Sequence, residues 1–190
     1  MNNTEPTQIP HNAVRRRDRA VTDDAWIRSF LHRSPVCTLA TVHDGRPHVN
    51  TNIFVFDEET HRIYLHTARH GKTRDSVDAS PEVCLTVHEM GRLLPAEEAV
   101  HFSLEYAGVV VDGRASIVEG EAARAGLKLL MAKYAPHLEY GGDYVAVRDK
   151  DLKRTSVYCV EIRSWAGKKK EVAPDFPGAY QFEDVRRAVS

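Results

Sequence analysis

Residues 36–56 read VCTLATVHDGRPHVNTNIFVF, in which two β-rich segments flank the Asp44-Gly45 pair. An Asp-Gly pair between alternating apolar segments is a strong signal for a tight hairpin. We predict its first strand over 36–42 and its second over 47–56. Successive side chains of a strand point to opposite faces, which puts Val49, Thr51, Ile53 and Val55 on one face and Asn50, Asn52, Phe54 and Phe56 on the other.

Outside this hairpin the chain alternates strand-like segments with a few helical ones. The further predicted strands are 62–67, 82–88, 102–118 (with a bulge or bend at Asp112-Gly113) and 156–163. The predicted helices are 22–34, 73–80 and 121–134, and 89–101 and 136–150 are interpreted as loops. About six strands joined mostly by short turns predict an antiparallel sheet, and closing it into a small barrel removes its exposed edges.

The composition is that of an ordinary globular chain, with 190 residues, a formal charge of −1, 42% hydrophobic and 28% charged residues. Balanced charge argues against a nucleic-acid partner, and no apolar run reaches the roughly 20 residues of a membrane span. The first residues lack the apolar core of a secretory signal, so we expect a cytoplasmic protein.

We divide the chain into an N-terminal arm (1–21) with the basic cluster Arg15-Arg16-Arg17, a domain (22–170) and a C-terminal tail (171–190).

The cysteines and histidines do not predict a metal or redox centre. Cys37, Cys84 and Cys159 lie in apolar, β-branched segments without CxxC spacing, so we expect them to be small buried hydrophobes. His66 and His70 are four residues apart but straddle a strand end and a loop. The sequence also lacks the motifs of dinucleotide folds, P-loop NTPases, zinc proteases and hydrolase elbows.

Residues 64–74, YLHTARHGKTR, combine a strand end, a glycine-containing loop and the start of a short helix. Lys72 and Thr73 fall near the helix N-terminus, where free N–H groups and the helix dipole favour an anion. Arg69 and Arg74 add positive charge, and Thr67 adds a hydroxyl group. The segment could hold a phosphate monoester or could be a solvated basic loop, and spacing alone leaves both open.

The ordered combination of these elements resembles the pyridoxamine 5'-phosphate oxidase-like FMN-binding split barrels, particularly their nitroimidazole-reductase-like branch. The resemblance covers roughly residues 15–170, through CTLATVHDGRPHVNTNIFVFDEETHRIYLHTARHGKTRDSVDASPEVCLTV, EMGRLLPA, VVVDGRASIVE, the amphipathic helix and WAGKKK. It implies a mainly β fold, an antiparallel split β-barrel with peripheral α-helices. It also implies a homodimer with FMN at the subunit interface.

The resemblance further implies a set of cofactor-binding residues. Those matching the strand along the isoalloxazine edge are Thr51, Asn52, Ile53 and Phe54, and those matching the pair near the ring and ribityl chain are His66 and Thr67. Lys72 matches a basic residue on the FMN phosphate, and Thr73 stands where relatives often carry a second Lys or Arg. Trp165 and Lys168 resemble C-terminal residues that reach FMN, although packing at the barrel end is an equal reading of Trp165.

Two classes of function are compatible with this resemblance. The first is an FMN-dependent oxidoreductase of a small organic substrate, acting through flavin N5 with NAD(P)H as a candidate reductant. It needs no assigned catalytic side chain, because the cofactor carries the redox chemistry. The second is a non-catalytic module that stores or senses flavin or haem, and pyridoxamine 5'-phosphate oxidase activity is a third reading. The fold alone does not choose between them.

Overall fold

Eight strands paired antiparallel form one sheet in the computed structural model, which describes residues 14–189, with side chains to residue 186. The strands are β1 (Ala20–Val21), β2 (Cys37–His43), β3 (Arg46–Asn52), β4 (Phe54–Asp57), β5 (Arg62–Ala68), β6 (Glu82–Leu94), β7 (Ser103–Val118) and β8 (Thr155–Lys170). The helices are α1 (Asp24–Arg33), α2 (Lys72–Ala79), α3 (Gly120–Tyr134), α4 (Asp149–Leu152) and α5 (Phe182–Val189).

Residues 1–13 of the predicted arm lie outside the described residues. Across the described range, we find no helix with the length and apolar character needed to cross a membrane.

The strand order explains how the barrel closes. Neighbouring strands run β3-β2-β6-β7-β8-β5-β4, with β1 beside β8. β3 and β4 therefore lie at opposite ends of the order, although only Ile53 separates them in sequence. Because one residue carries the chain from one end of the sheet to the other, the sheet must curl until its two ends meet at Ile53. The fold is the predicted mainly β split barrel, with its helices outside the sheet.

The single strand predicted over 47–56 is wrong at Ile53. β3 pairs with β2, from Arg46↔His43 to Asn52↔Cys37, whereas β4 pairs with β5. The residues on both sides of Ile53 remain extended, so alternation in the sequence could not reveal that the chain changes its partner strand. β4 is also buried on both faces, since Phe54, Val55 and Phe56 are all inaccessible.

Two other strands are longer than predicted. β6 continues to Leu94 through the predicted loop, and β8 continues to Lys170 through the basic WAGKKK segment. Both extensions pair with β7, which is 16 residues long. Pairing with a long neighbour thus overrides the weak strand propensity of the charged residues. The bulge predicted at Asp112-Gly113 is confirmed by a register shift between β7 and β8 there.

The core fills the inside of the curled sheet beneath α1 and α2. Fully buried side chains include Phe30, Leu31, Leu39, Phe54, Leu65, Val109 and Tyr158. α1 begins after Asp23, whose carboxylate accepts the Ala25 N–H at 2.9 Å. At the other end of α1, Lys133 Nζ donates to the carbonyls of Leu31 and Ser34. α1 is therefore fixed at both ends over the barrel.

An arginine on β6 joins the C-terminal tail to the sheet. Arg92 Nε and Nη2 donate to the two carboxylate oxygens of Glu105, each at 2.8 Å, and its Nη1 donates to the Pro174 carbonyl at 2.7 Å. Glu105 also accepts the Val172 N–H at 2.9 Å. The residues after β8 that were predicted as a tail are thus held against the β6–β7 hairpin.

Replacing Glu105 by glutamine should make the free energy of unfolding depend less on pH under acidic conditions. Hydrogen bonds from Arg92 lower the pKa of Glu105 to about 2, whereas an unfolded glutamate has a pKa of about 4.3. The ionised carboxylate therefore stabilises the fold above about pH 4.3, and this contribution is lost as the pH falls toward 2. In urea unfolding, Glu105→Gln should be less stable than wild type at pH 7, with the difference shrinking between pH 5 and pH 2.5. A pH-independent difference would contradict this, and Glu97→Gln at an exposed position is the control.

Candidate functional site

Helix α2 begins in a backbone conformation that favours glycine. Gly71, its N-cap, has φ 141° and ψ 169°, a region essentially confined to glycine. The helix starts four residues after β5 ends, and the N–H groups of Lys72, Thr73 and Arg74 have no acceptor within the helix. These N–H groups and the helix dipole make this end of α2 favourable for an anion.

Lys72 supplies the available positive charge at this helix end. Arg69 Nη2 lies 3.3 Å from Glu119 Oε1, and Arg74 Nε lies 2.6 Å from Asp78 Oδ2. Both arginines predicted to strengthen an anion site are thus paired within the fold. Lys72 is exposed, and no carboxylate in the part of the chain with described side chains forms an ion pair with it. Its ammonium group can therefore meet a ligand.

Thr73 is buried and joins α2 to the inner face of β3. Its Oγ1 lies 3.3 Å from His48 Nε2 and accepts a hydrogen bond from Asn50 Nδ2 at 3.3 Å. We call the first turn of α2 with Lys72, Thr73, His48 and Asn50 the α2 cradle. His48 and Asn50 were missed from the sequence, although polar residues at 48, 50 and 52 on one strand face were a usable signal.

β3 meets β5 beside the α2 cradle. Asn52 Nδ2 donates to the His66 carbonyl at 2.6 Å, and Thr67 Oγ1 lies 2.8 Å from the buried Tyr158 hydroxyl. The Nδ1 atom of His66 is shielded from solvent and has no hydrogen-bond partner. Burial lowers the pKa of His66 below its ordinary value, so its imidazole is neutral near pH 7. The structure thus places Asn52 against the backbone of His66, and Thr73 against His48 and Asn50. That Asn52, His66, Thr67, Lys72 and Thr73 bind a cofactor stays a prediction.

The three predicted cofactor-binding residues near the break between β3 and β4 differ in their exposure to solvent. Thr51 is exposed on the outer face of β3, with its Oγ1 3.4 Å from Thr38 Oγ1. Ile53 is 36% exposed at the break itself. Phe54 is fully buried, and the Tyr134 hydroxyl accepts its N–H at 3.1 Å. Phe54 therefore supports the site by packing and has no free surface for a ligand.

Trp165 does not join this group. Its ring contacts His61 and Phe56, with centroids 4.6 and 5.9 Å away, and its Nε1 donates to Asp24 at 2.9 Å. Trp165 is also nine residues along β8 from Ser156, the pairing partner of Thr67, which is roughly 30 Å of strand. The sequence left two interpretations of Trp165, contact with FMN and packing at the barrel end. Within one protomer its contacts are those of packing at the barrel end.

Lys168 lies on the opposite, outer face of β8 and lines a second cavity. We call this cavity of about 700 Å³ the outer pocket; its wall includes Thr86, His88, Met90, Val110, Ala166 and Lys168. Arg15 and Arg16 of the N-terminal arm stand at the same cavity. The pocket thus combines an apolar floor with positive charge, and no residue of the α2 cradle lines it.

The cysteine thiols are unsuited to nucleophilic chemistry. Burial raises the pKa of Cys37 to about 12 and that of Cys84 to about 11, and Cys159 is buried with a raised pKa. All three remain protonated near pH 7 and are free thiols. The chemistry that the α2 cradle itself offers is anion binding at Lys72 and at the free N–H groups of the first turn of α2.

Comparison with known proteins gives one family match. A family model described as pyridoxamine 5'-phosphate oxidase matches residues 23–169. A search of curated proteins finds no match.

Solved structures share the fold at low sequence identity. The flavocytochrome Anf3 from Azotobacter vinelandii has a TM-score of 0.72 at 21% identity, covering 94% of this chain and 79% of that chain. The FAD and heme binding protein from Mycobacterium smegmatis has a TM-score of 0.73 at 19% identity, covering 89% and 80%. A protein from Bacteroides thetaiotaomicron described as a candidate 5-nitroimidazole antibiotic resistance protein has a TM-score of 0.64 at 20% identity, covering 80% and 90%. The TM-scores show a common fold, and at these identities the likeness shows the fold alone.

Proposed function

The chain belongs to the pyridoxamine 5'-phosphate oxidase family, and from this membership we propose that it is a flavin-dependent oxidoreductase that binds FMN and acts on a small organic molecule. Membership gives the fold and does not by itself assign the reaction for which the family is named. Two of the structures with the same fold are described as a flavocytochrome and as an FAD and heme binding protein. Both descriptions support a flavin as the first ligand to test.

The observation that carries the proposal is the α2 cradle. A flavin nucleotide needs an anion site for its phosphate and a largely apolar slot for its ring. Lys72 and the N–H groups of the first turn of α2 offer the anion site, since Arg69 and Arg74 are already paired. His66 Nδ1, buried and without a hydrogen-bond partner, fits a site that is completed by a ligand. The residues present therefore fit a flavin phosphate and the polar edge of its ring.

The chain's own residues position the cofactor. A bound flavin supplies reversible two-electron transfer at its N5 atom. Lys72 and the α2 N–H groups would hold the phosphate, and Thr67 would be kept in place by Tyr158. Asn52 fixes the position of His66 through its backbone carbonyl. The neutral imidazole of His66 can donate or accept one hydrogen bond beside the ring or substrate.

We propose that a second copy of the chain completes the site. Lys168 is twelve residues along β8 from Ser156, roughly 40 Å of strand, and faces the outer pocket. It cannot contact a flavin in the α2 cradle of the same protomer. In a homodimer formed through the outer face, the outer pocket of one subunit can cover the flavin held by the other. This arrangement gives Lys168 its expected role and covers the exposed side chains of Val42, Val49 and Met90.

Arginine at position 49 should break this dimer. Val49 is 63% exposed on the outer face of β3, and an arginine there would place unpaired charge in an interface of more than roughly 2,000 Å². Light scattering at micromolar concentration should show a dimer for wild type and a monomer for Val49→Arg. Val145→Arg, at a residue that is 71% exposed between α3 and α4, should remain dimeric. A monomeric wild type would refute the dimer.

Alanine at position 66 should weaken flavin binding by roughly 2- to 10-fold, the effect of one neutral hydrogen bond. Burial lowers the pKa of His66 below its ordinary value. Protonating the imidazole therefore costs free energy in the folded protein, and it occurs only below about pH 6.5. Wild-type affinity should be constant from pH 7 to 8 and decline toward pH 5.5, and His66→Ala should lack the decline. Fluorescence titration of both proteins measures this. Identical curves would leave His66 with a structural role only.

The proposed function is tested by the absorption spectrum of the purified protein. A flavin spectrum that NAD(P)H bleaches under anaerobic conditions supports the oxidoreductase. A flavin that neither NADH nor NADPH bleaches supports the storage module, and a Soret band without flavin supports a haem binder. Mass spectrometry of the released cofactor then identifies it.

A further inference from the structure

The outer pocket is a hollow over positions of the sheet that carry small side chains. In its floor, Gly108 of β7 pairs with His88 of β6 and with Lys168 of β8. Two residues further along β7, Val110 pairs with Ala166. A glycine inside a strand often marks a place where a ligand approaches the backbone closely. The volume of about 700 Å³ is within the roughly 300–1,000 Å³ of sites for small organic molecules.

One arginine at this pocket carries a charge that the fold does not neutralise. Arg16 donates to both carboxylate oxygens of Asp18, at 2.8 and 2.6 Å. Glu89 is an acidic residue of the wall, and its two oxygens already accept hydrogen bonds from Arg33, at 2.5 and 2.7 Å. Arg15 is exposed, lines the pocket, and forms no ion pair with any carboxylate whose side chain the structure describes. Its guanidinium group can therefore meet an anionic ligand.

Tyr106 adds a hydrogen-bond donor to the same cavity. Its hydroxyl oxygen accepts from Arg19 Nη1 at 3.1 Å, which leaves its own proton for an acceptor on a ligand. Lys168 Nζ lies 5.3 Å from the centre of the Tyr106 ring, but the dimer proposed above already assigns this lysine to the flavin of the other subunit. Arg15 and the Tyr106 hydroxyl are thus the polar groups left for a second ligand.

A single arginine matches a carboxylate better than a phosphate. A carboxylate carries one negative charge near pH 7, whereas a phosphate monoester carries about 1.5–2. Hydrogen bonds from an arginine to a carboxylate are also among the stronger ones in proteins. The rest of the floor is apolar and offers few partners to a second polar group on the ligand.

We infer that the substrate is an apolar carboxylate, held in the outer pocket between the sheet of one subunit and the flavin of the other. Its carboxylate contacts Arg15 and the Tyr106 hydroxyl, and its apolar body lies over Gly108, Val110 and Ala166. We rest this inference on the proposed function and its dimer, to which it adds the chemical class of the substrate. It also gives Arg15 and the hollow at Gly108 a role that flavin binding does not give them.

The test is isothermal titration calorimetry of the full-length protein loaded with FMN. The probes are 2-naphthoate, 2-naphthamide and 2-naphthyl phosphate, which share one apolar body, and we expect 2-naphthoate to bind most tightly. Arg15→Ala should weaken 2-naphthoate binding by about tenfold, the low end of the range for a hydrogen bond to a charged group, and leave 2-naphthamide within about twofold. Arg15→Lys should retain most of the 2-naphthoate affinity.

The absorption spectrum of the bound flavin reports where the probe lies. We expect 2-naphthoate to shift this spectrum, because the probe lies against the flavin ring in the inferred complex. Arg17→Ala removes another exposed arginine of the same arm, one that does not line the pocket, and should bind 2-naphthoate like wild type. Ala166→Leu fills the floor and should weaken 2-naphthoate and 2-naphthamide to the same extent.

The outcomes separate this inference from the function on which it rests. Equal binding of 2-naphthoate and 2-naphthamide, or tighter binding of 2-naphthyl phosphate, would overturn the carboxylate as the substrate class. Unchanged 2-naphthoate binding in Arg15→Ala, or an unshifted flavin spectrum, would overturn its placement in the outer pocket. The flavin function stands in each of these cases. A full-length protein that cannot be loaded with any flavin would overturn both.

Discussion

Alanine at position 72 should weaken FMN binding by about 1.5–3 kcal/mol, roughly 10- to 150-fold in Kd, the range for a hydrogen bond to a charged group. Lys72 is exposed at the first position of α2, and the nearby Arg69 and Arg74 are committed to Glu119 and Asp78. No second arginine or lysine stands next to it, because position 73 is a buried threonine. The loss at Lys72 is therefore not compensated by a neighbour on the helix.

Salt separates a direct contact from a general change of charge. Raising the ionic strength should weaken FMN binding to wild type more than to Lys72→Ala, because screening reduces the contact that the variant lacks. Lys150→Ala, which removes an exposed lysine from α4, changes the net charge equally and should bind FMN like wild type. Unchanged affinity of Lys72→Ala would leave Lys72 as a surface charge and remove it from the site.

Alanine at position 113 should destabilise the fold by about 1–3 kcal/mol, the usual cost of forcing extra atoms into a packed region. Gly113 lies at the bulge between β7 and β8, where an added Cβ would stand 2.5 Å from the Glu161 carbonyl oxygen and 2.8 Å from Val160 Cγ1. The carbonyl belongs to the neighbouring strand and cannot move without disturbing the sheet. Thermal unfolding should show a loss of about 2–4 °C per kcal/mol for a chain of this length.

A second glycine provides the control for this substitution. At Gly142 an added Cβ would meet the Glu139 side chain, with its nearest atom 3.1 Å away. That side chain is exposed and flexible, so Gly142→Ala should change Tm by much less than Gly113→Ala. Equal effects of the two variants would show that the bulge tolerates a side chain.

Much of the fold could be predicted because its signals are local. The Asp44-Gly45 turn, the bulge at Asp112-Gly113 and the spacing of α3 each depend on residues next to one another. The break at Ile53 and the extension of β8 to Lys170 depend on which strand lies alongside, which neighbouring residues do not encode. The pairing of strands that are far apart in the sequence therefore could not be predicted from the local sequence pattern.

The candidate site was predictable to a similar extent. Lys72 and Thr73 follow from a strand, a glycine loop and a helix in direct succession. His48 and Asn50 come from another strand and reach α2 only through the curl of the sheet. Phe54 and Trp165 were expected near the ligand. Within one chain Phe54 contacts Tyr134, and Trp165 contacts Asp24 and His61, so their role toward a ligand stays a prediction.

The one-residue link at Ile53 also has a consequence for the kinetics of folding. The β2–β3 and β4–β5 hairpins form from nearby residues, but they dock at opposite ends of the sheet, β2 on β6 and β5 on β8. Leu65 of β5 pairs with Tyr158, 93 residues later in the chain. Such contacts repay their loop-closure entropy only late in folding. Since the hairpins are tethered through a single residue, docking of one constrains the other, and we expect barrel closure to be the slow, cooperative step of refolding, on the millisecond to second timescale of non-local β topologies.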